Sequence, residues 1–388
     1  MPTSDFFAPS YASARNKFLA AAQAAGARLS SYPLPNQRGP GRETLSIDVA
    51  LLGAEQPVDS VLLLISGTHG VEGHCGSGIQ VGYFRDQLHD ALPAGTATLM
   101  IHALNPYGFA WRRRVNEDNI DLNRNFRDFS APLPDGSAYE AIHNCLVPEA
   151  WDGPLRQEAD RELLRRIEAA GIPSYQAVLQ RGQYTRPTGL FYGGKGPCWS
   201  NTMLRRLLRE HIPAGATRLA VLDIHTGLGP CGYGEPIYAD DSPKGFKRAR
   251  RWYGPELTRI TGYTVESPTG KGVRPEGVRP ESRQSGGGLS SSAAVSGALV
   301  AAFDDLDPSL EVTYLTLEFG TRPILEVLGA LRADSWLHAC PDRATPFRGP
   351  IQQQMQEAFY VDTPGWKAAV YGRAADFVLR TSRGLAAG

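Results

Sequence analysis

Short, almost uninterrupted apolar runs recur along the chain, separated by stretches of helical periodicity. Val61–Ile65, Ala97–Ile101, Arg218–Leu222 and Val312–Leu317 read as buried strands. Thr44–Ala50 alternates apolar and polar positions, which predicts a strand near a sheet edge. Asn201–His211 places Leu204, Leu207 and Leu208 on one helical face, and helices are also predicted near Phe246–Ile260 and over Trp366–Thr381. Strands alternating with helices imply an α/β fold, three layers deep (α/β/α), around a mixed, largely parallel twisted sheet. The stretch around 127–195 is less regular and reads as an insertion, with a helix over Gln157–Ala170. The loop around 267–288, rich in Gly, Pro and Arg, reads as an active-site wall. The expectation is a single catalytic domain over residues 1–388.

Composition narrows the picture by exclusion. The chain has 388 residues, 42% of them apolar, and a formal net charge of zero. Overall charge gives no support for nucleic-acid binding. No run approaches the ~18 apolar residues of a membrane span, and the start Met1–Asp5 has no basic head or apolar stretch, so no signal peptide is expected. Five scattered cysteines without a C-x-x-C pair argue against a disulfide framework or a thiolate metal site, and fit a cytoplasmic setting.

Chemistry-bearing residues stand at the ends of the predicted strands. The first run leads into Ser66-Gly67-Thr68-His69-Gly70-Val71-Glu72. An imidazole and a carboxylate at i, i+3 after a strand can share a metal ion. Taken alone, His-x-x-Glu is more simply a surface pair. His225, in Asp223-Ile224-His225-Thr226, follows a second buried strand and offers a third ligand, with Asp223 placed to orient it. Two imidazoles and one carboxylate leave a fourth position for water, the arrangement of a catalytic zinc site with one Zn2+ per chain. Glu318 ends another apolar strand, where an unpaired charge is costly, and suits a general base; a salt bridge to Arg322 is the plainer reading. His74, His102 and Cys231 are expected to pack or hydrogen-bond rather than ligate.

Between these motifs runs Asn105-Pro106-Tyr107-Gly108, then Arg112-Arg113-Arg114, then Asp121-Leu122-Asn123-Arg124-Asn125-Phe126. The order His-x-x-Glu, Asn-Pro-x-Gly, Asp-Leu-Asn-Arg-Asn-Phe, strand-end His and late strand-end Glu resembles the zinc carboxypeptidase family, in a bacterial subgroup. The resemblance implies that Asn123 and Arg124 grip a substrate carboxylate, that Arg114 polarises the scissile carbonyl, and that Asp121 supports His69. Arg112 has an alternative spacing for the arginine role, and one or more of the three arginines is expected to be a solvated basic turn. The resemblance also places Leu289 near the floor of a specificity pocket. Ser282 stands where that family usually has a mobile Tyr, ahead of Ser285-Gly286-Gly287. The implied activity is hydrolysis of a peptide or amide bond beside a free carboxylate, on a small-molecule or short-peptide substrate. Two alternatives remain open: an N-acyl-amino-acid deacylase similar to succinylglutamate desuccinylases and aspartoacylases, and a metal-holding binding module without activity.

Overall fold

The computed structural model describes residues 2–55, 57–240, 242–259, 295–342 and 345–387. Its strands are β1 (Arg28–Arg38), β2 (Thr44–Leu52), β3 (Ser60–Ile65), β4 (Thr96–His102), β5 (Arg218–Cys231), β6 (Gly234–Tyr238), β7 (Thr258–Arg259) and β8 (Glu311–Gly320). They form one sheet in the order β1-β2-β4-β3-β5-β8-β6-β7. The central strands β4, β3, β5 and β8 are mutually parallel, while β1, β2 and β6 join by antiparallel pairing. Around the sheet run α1 (Tyr11–Ala24), α2 (Gly73–Arg85), α3 (Pro106–Trp111), α4 (Gly153–Ala170), α5 (Ile172–Gln180), α6 (Trp199–His211), α7 (Pro243–Tyr253), α8 (Ile324–Ala339), α9 (Arg348–Phe359) and α10 (Pro364–Ala387).

Strand side chains alternate between faces, so each apolar run feeds two cores. Leu62, Leu64, Leu222, Ile224, Leu315 and Leu317 face a cluster holding Phe18, Tyr83, Trp366 and Phe377. Val61, Leu63, Ile65, Leu219 and Val221 face the other, which contains Leu204, Leu207 and Leu208 of α6. Three layers follow, as the patterning implies. A smaller cluster within the 127–195 stretch joins Leu146, Leu163, Ile167, Tyr175, Leu179 and Phe191, with Leu328 and Leu331 of α8 packed on it. Among the described residues, no helix is long and apolar enough to cross a membrane.

β2 lies near the sheet edge as its pattern implies, one strand in, buried from Leu45 to Leu51 and covered by β1. Other elements differ from the sequence reading. Pro33 and Pro35 together with an exposed pattern hide β1 from a periodicity argument, and Pro is tolerated there because the strand lies at an edge. α7 stops at Tyr253, where Gly254 takes φ 88°, and Thr258–Arg259 forms β7 instead of continuing the helix. α2 was hidden by its glycines, which serve packing: a Cβ on Gly82 would lie 2.3 Å from the Tyr371 ring. The loop around 267–288, Ser282 and Leu289 lie outside the described residues.

His102 shows how the core limits acid stability. It stacks on Phe18 with ring centroids 4.4 Å apart and bonds Ser77 Oγ at 2.9 Å. Burial lowers its pKa from 6.5 to about 4. The unfolded chain therefore binds a proton that the folded chain refuses, and stability falls as pH drops from about 6.5 to about 4, by up to about 3 kcal/mol for this one group. His102→Gln is expected to flatten that part of a denaturant-midpoint profile against pH. An unchanged slope would show that other groups control acid unfolding.

Candidate metal centre and active site

The chain leaves β3 for β4 on one side and reaches β5 on the other, so the sheet's switch point lies between β3 and β5. Crevices at the carboxyl ends of such strands are where open α/β sheets bind ligands. Ile65 pairs with Asp223 and His225 pairs with Glu318, which brings the three motif-bearing strand ends to one level. The segment after β3 then turns into a single 3-10 turn, Gly70–Glu72. Gly70 is required there: a Cβ would lie 2.1 Å from the Gly108 backbone, where α3 packs. α3 itself starts with Asn105, whose side chain accepts from Gly108 N at 2.8 Å.

His69, Glu72 and His225 converge, with candidate ligand atoms all within 4.8 Å of one another. His69 Nδ1 lies 2.9 Å from Glu72 Oε1, His225 Nδ1 lies 3.1 Å from Glu72 Oε2, and the two Nδ1 atoms are 3.1 Å apart. Each imidazole has a carboxylate behind it: His69 Nε2 is 3.1 Å from Asp121 Oδ1, and His225 Nε2 is 2.8 Å from Asp223 Oδ2. Asp223 is fixed in turn by hydroxyl donors, Tyr314 at 2.6 Å and Thr68 at 2.9 Å. A carboxylate acceptor favours the Nε2–H tautomer, which turns both Nδ1 lone pairs inward beside Glu72.

That donor set fits a divalent cation. Without one, two lone pairs and a carboxylate would face each other at hydrogen-bond distance. Charge points the same way. Glu72, Asp121, Asp223 and Glu318 are buried, and Arg114 and Arg124 answer only two of the four carboxylates. A dication at this point would offset the cost of burying these carboxylates together. Burial alone would lower the His225 pKa, but the attraction of Asp223 and its hydrogen bond, with help from Glu72, raise it well above the usual imidazole value. Burial likewise opposes charge on Glu72, and the attraction of His69 with hydrogen bonds from His225 and His69 holds its carboxyl below the ordinary range. The pocket thus draws positive charge to its centre.

The arginine run splits into three roles. Arg113 is buried and paired with Asp334 at 2.9 Å; breaking such a pair costs about 3–5 kcal/mol, so it is a structural residue. Arg112 caps α3 with φ 56°, half-buried, and does not line the cleft. Arg114 lines it, donating through Nη1 to Glu72 at 3.0 Å and through Nε to Asp121 at 3.1 Å, which leaves Nη2 for a substrate. Asn123 and Arg124 also line the cleft, next to Arg114. Asn123 accepts from Leu299 N at 2.8 Å, which keeps its amide N–H groups available. Burial opposes charge on Asp121, but Arg114, Arg124 and His69 together hold its carboxyl well below the usual range.

Glu318 sits across the strand pair from His225, with no bond to Arg322, whose guanidinium donates to the Glu357 carbonyl. Its Oε1 accepts from Leu228 N at 3.0 Å. Burial and the neighbouring Glu72 charge push its pKa up to about 7, against the opposing pull of His225, the Leu228 N–H and Arg114. His74 bonds the Ala8 carbonyl and His102 bonds Ser77, so neither joins the cluster. The residues that sequence reasoning missed are supporting ones. Thr68 and Tyr314 hold Asp223, Thr226 N donates to Glu72 at 3.0 Å, and the Phe191 ring lies 5.7 Å from the Arg114 guanidinium and 5.4 Å from that of Arg124. Only the position of Thr226, directly after His225, hinted at this.

A family model described as "Protein of unknown function (DUF2817)" matches residues 7–373. No curated protein matches the chain. Among solved structures, the chain is similar to thrombin activatable fibrinolysis inhibitor (12% identity, covering 95% of this chain and 74% of that one, TM-score 0.42). It is similar also to carboxypeptidase A from Helicoverpa armigera (11% identity, 90% and 73%, TM-score 0.41). A third is the succinylglutamate desuccinylase from Chromobacterium violaceum (16% identity, 84% and 77%, TM-score 0.32). These are the groups that the motifs resemble. At identities and scores this low, the likenesses assign no reaction to the chain.

The cluster predicts metal behaviour directly. Purified protein is expected to carry about one zinc per chain, and His69→Ala, Glu72→Ala and His225→Ala should each lose it. Asp223→Asn should weaken zinc binding by roughly 10- to 100-fold, because it removes the group that orients His225. Competition with a zinc-binding dye measures both. Full occupancy in His225→Ala would overturn the ligand assignment.

Proposed function

The chain belongs to the family described only as "Protein of unknown function (DUF2817)", and from its site we propose a zinc-dependent hydrolase that cleaves a peptide or amide bond next to a free carboxylate. The observation that carries this reading is one cleft lined by His69, His225, Arg114, Asn123, Arg124 and Glu318, with Glu72 bonded beneath them. A binding module needs the ligands alone. It has no use for a buried carboxylate of raised pKa beside them.

His69, Glu72 and His225 would hold the ion. When bound, it supplies Lewis acidity that polarises a carbonyl and makes a water more acidic. Glu318 is the base for the attacking water, and a pKa near neutrality lets it accept that proton and later release it to the departing nitrogen. Arg114 stabilises charge growing on the carbonyl oxygen through the nitrogen left free of Glu72 and Asp121. Asn123 and Arg124 bind the substrate carboxylate, the guanidinium supplying a charge-assisted fork. Water replaces nitrogen on the carbonyl carbon, and the products are a carboxylate and an amine.

Two variants separate these roles. Glu318→Gln keeps the side-chain shape and the zinc, and is expected to lower kcat by roughly a hundredfold or more on N-acyl amino acids or dipeptides. Normal turnover with zinc bound would sink the proposed base. Arg124→Ala should raise KM strongly for a substrate with a free carboxylate and much less for the matching amide. Equal losses on both would mean that no terminal carboxylate is recognised.

A further inference from the structure

One side of the cleft is not made by the sheet. α4 and α5 of the 127–195 stretch, with α8 that follows β8, stand over the reactive floor. Ile167, Tyr175 and Leu179, buried in the smaller core, line it together with Leu325, Leu328 and Leu331, the last two packed on that core. Ile172 joins them at the rim, where it is 44% exposed and Leu325 is 45% exposed. Among the described residues, these three helices give the cleft no charged side chain. Gln176 and Gln180 are the polar side chains of α4 and α5 that reach it, apart from the Tyr175 hydroxyl. The exposed face of α4 contrasts with this, since Arg161 and Arg165 there pair with Glu158 and Glu162.

The floor and the wall meet at Phe191. This residue has φ 54°, a left-handed conformation that a bulky side chain adopts only at a cost of about 1–2 kcal/mol. It is held there by the smaller core of the same stretch and by the Gln183 N–H bonded to its carbonyl at 3.0 Å. The strained placement puts its ring against both Arg114 and Arg124. The ring thus lies beside both guanidiniums, in the same cleft that Ile172 and Leu325 line.

We infer that the helical wall is a binding site for an extended apolar group of the substrate, so that this enzyme takes amphiphilic amides whose carboxylate reaches the arginine floor and whose acyl or aryl group lies along α5 and α8. The inference rests on the hydrolase reading for the reaction but not for the binding. Apolar side chains left exposed beside a charged floor are costly to hydrate, and the group that removes their water is the part of the substrate that shares the cleft. A polar or very short acyl group would leave Ile172, Leu325 and Leu328 wet.

Calorimetric binding of N-acetylglycine, N-hexanoylglycine and N-lauroylglycine to zinc-loaded, full-length Glu318→Gln protein tests this. Affinity should climb with chain length by roughly two- to fourfold per methylene over the first several carbons, as apolar surface is buried. Ile172→Asn and Leu325→Asn should flatten the series. Both sites are substantially exposed, and zinc content and melting temperature check that these variants fold. Affinity independent of chain length in the parent protein overturns the inference. Turnover of the same compounds by the native enzyme is read in parallel. A chain-length series in binding with no hydrolysis of any member would leave the wall standing and defeat the hydrolase reading. Hydrolysis with no chain-length dependence in binding would do the reverse.

Discussion

Everything at the floor of the cleft depends on two imidazole rings being held with their Nδ1 atoms inward against Glu72. Asp121 and Asp223 do the holding, each from the far side of a ring. Removed from water, these carboxylates are tolerable only because each has several partners. Asp223 takes Tyr314, Thr68 and His225, and Asp121 takes Arg114, the Asn123 N–H and His69. The cluster is a closed hydrogen-bonded network of imidazoles and carboxylates, and its members come from β5, β8 and the loops after β3 and α3. The parallel register of β5 with β8 is therefore a chemical requirement as much as a structural one: a one-residue slip would turn Glu318 to the opposite face from His225.

The same network explains why the arginines are not interchangeable. Arg113 and Arg114 are adjacent, yet one is consumed by Asp334 on α8 and the other stands between Glu72 and Asp121. The Arg113–Asp334 pair ties the loop after α3 to α8, which in turn carries part of the apolar wall. Reactive floor and apolar wall are thus joined by one buried ion pair. Phe191 joins them a second time through the guanidinium faces.

Much of this was legible along the chain. His69, Glu72, His225 and Glu318 each follow or end an apolar run, and polar residues at such positions stand out because the physics of burial leaves few other reasons for them. The inner strands, α6 and α10 showed themselves by periodicity. β1, α2 and α8 did not: an exposed edge strand with two prolines, a glycine-rich helix and a helix apolar on several faces carry no clean period. Nor could spacing choose between Arg112 and Arg114, since both lie within reach of the same turn and only the left-handed cap at Arg112 turns it away from the cleft.

By itself, then, the amino-acid order determined the layered α/β architecture and pointed to His69, Glu72 and His225 as a candidate metal-binding group, because strand-forming runs bury themselves and bring whatever follows them to one edge of a parallel sheet. Tertiary structure alone decided which nitrogen of each imidazole faces inward, which arginine remains free, and that a stretch with no chemical motif of its own supplies the wall of the cleft. Those outcomes depend on contacts between residues far apart in the chain, such as Arg113 with Asp334, Tyr314 with Asp223 and Phe191 with Arg124. No local pattern encodes such pairs, since the energy that selects them exists only once the layers have packed.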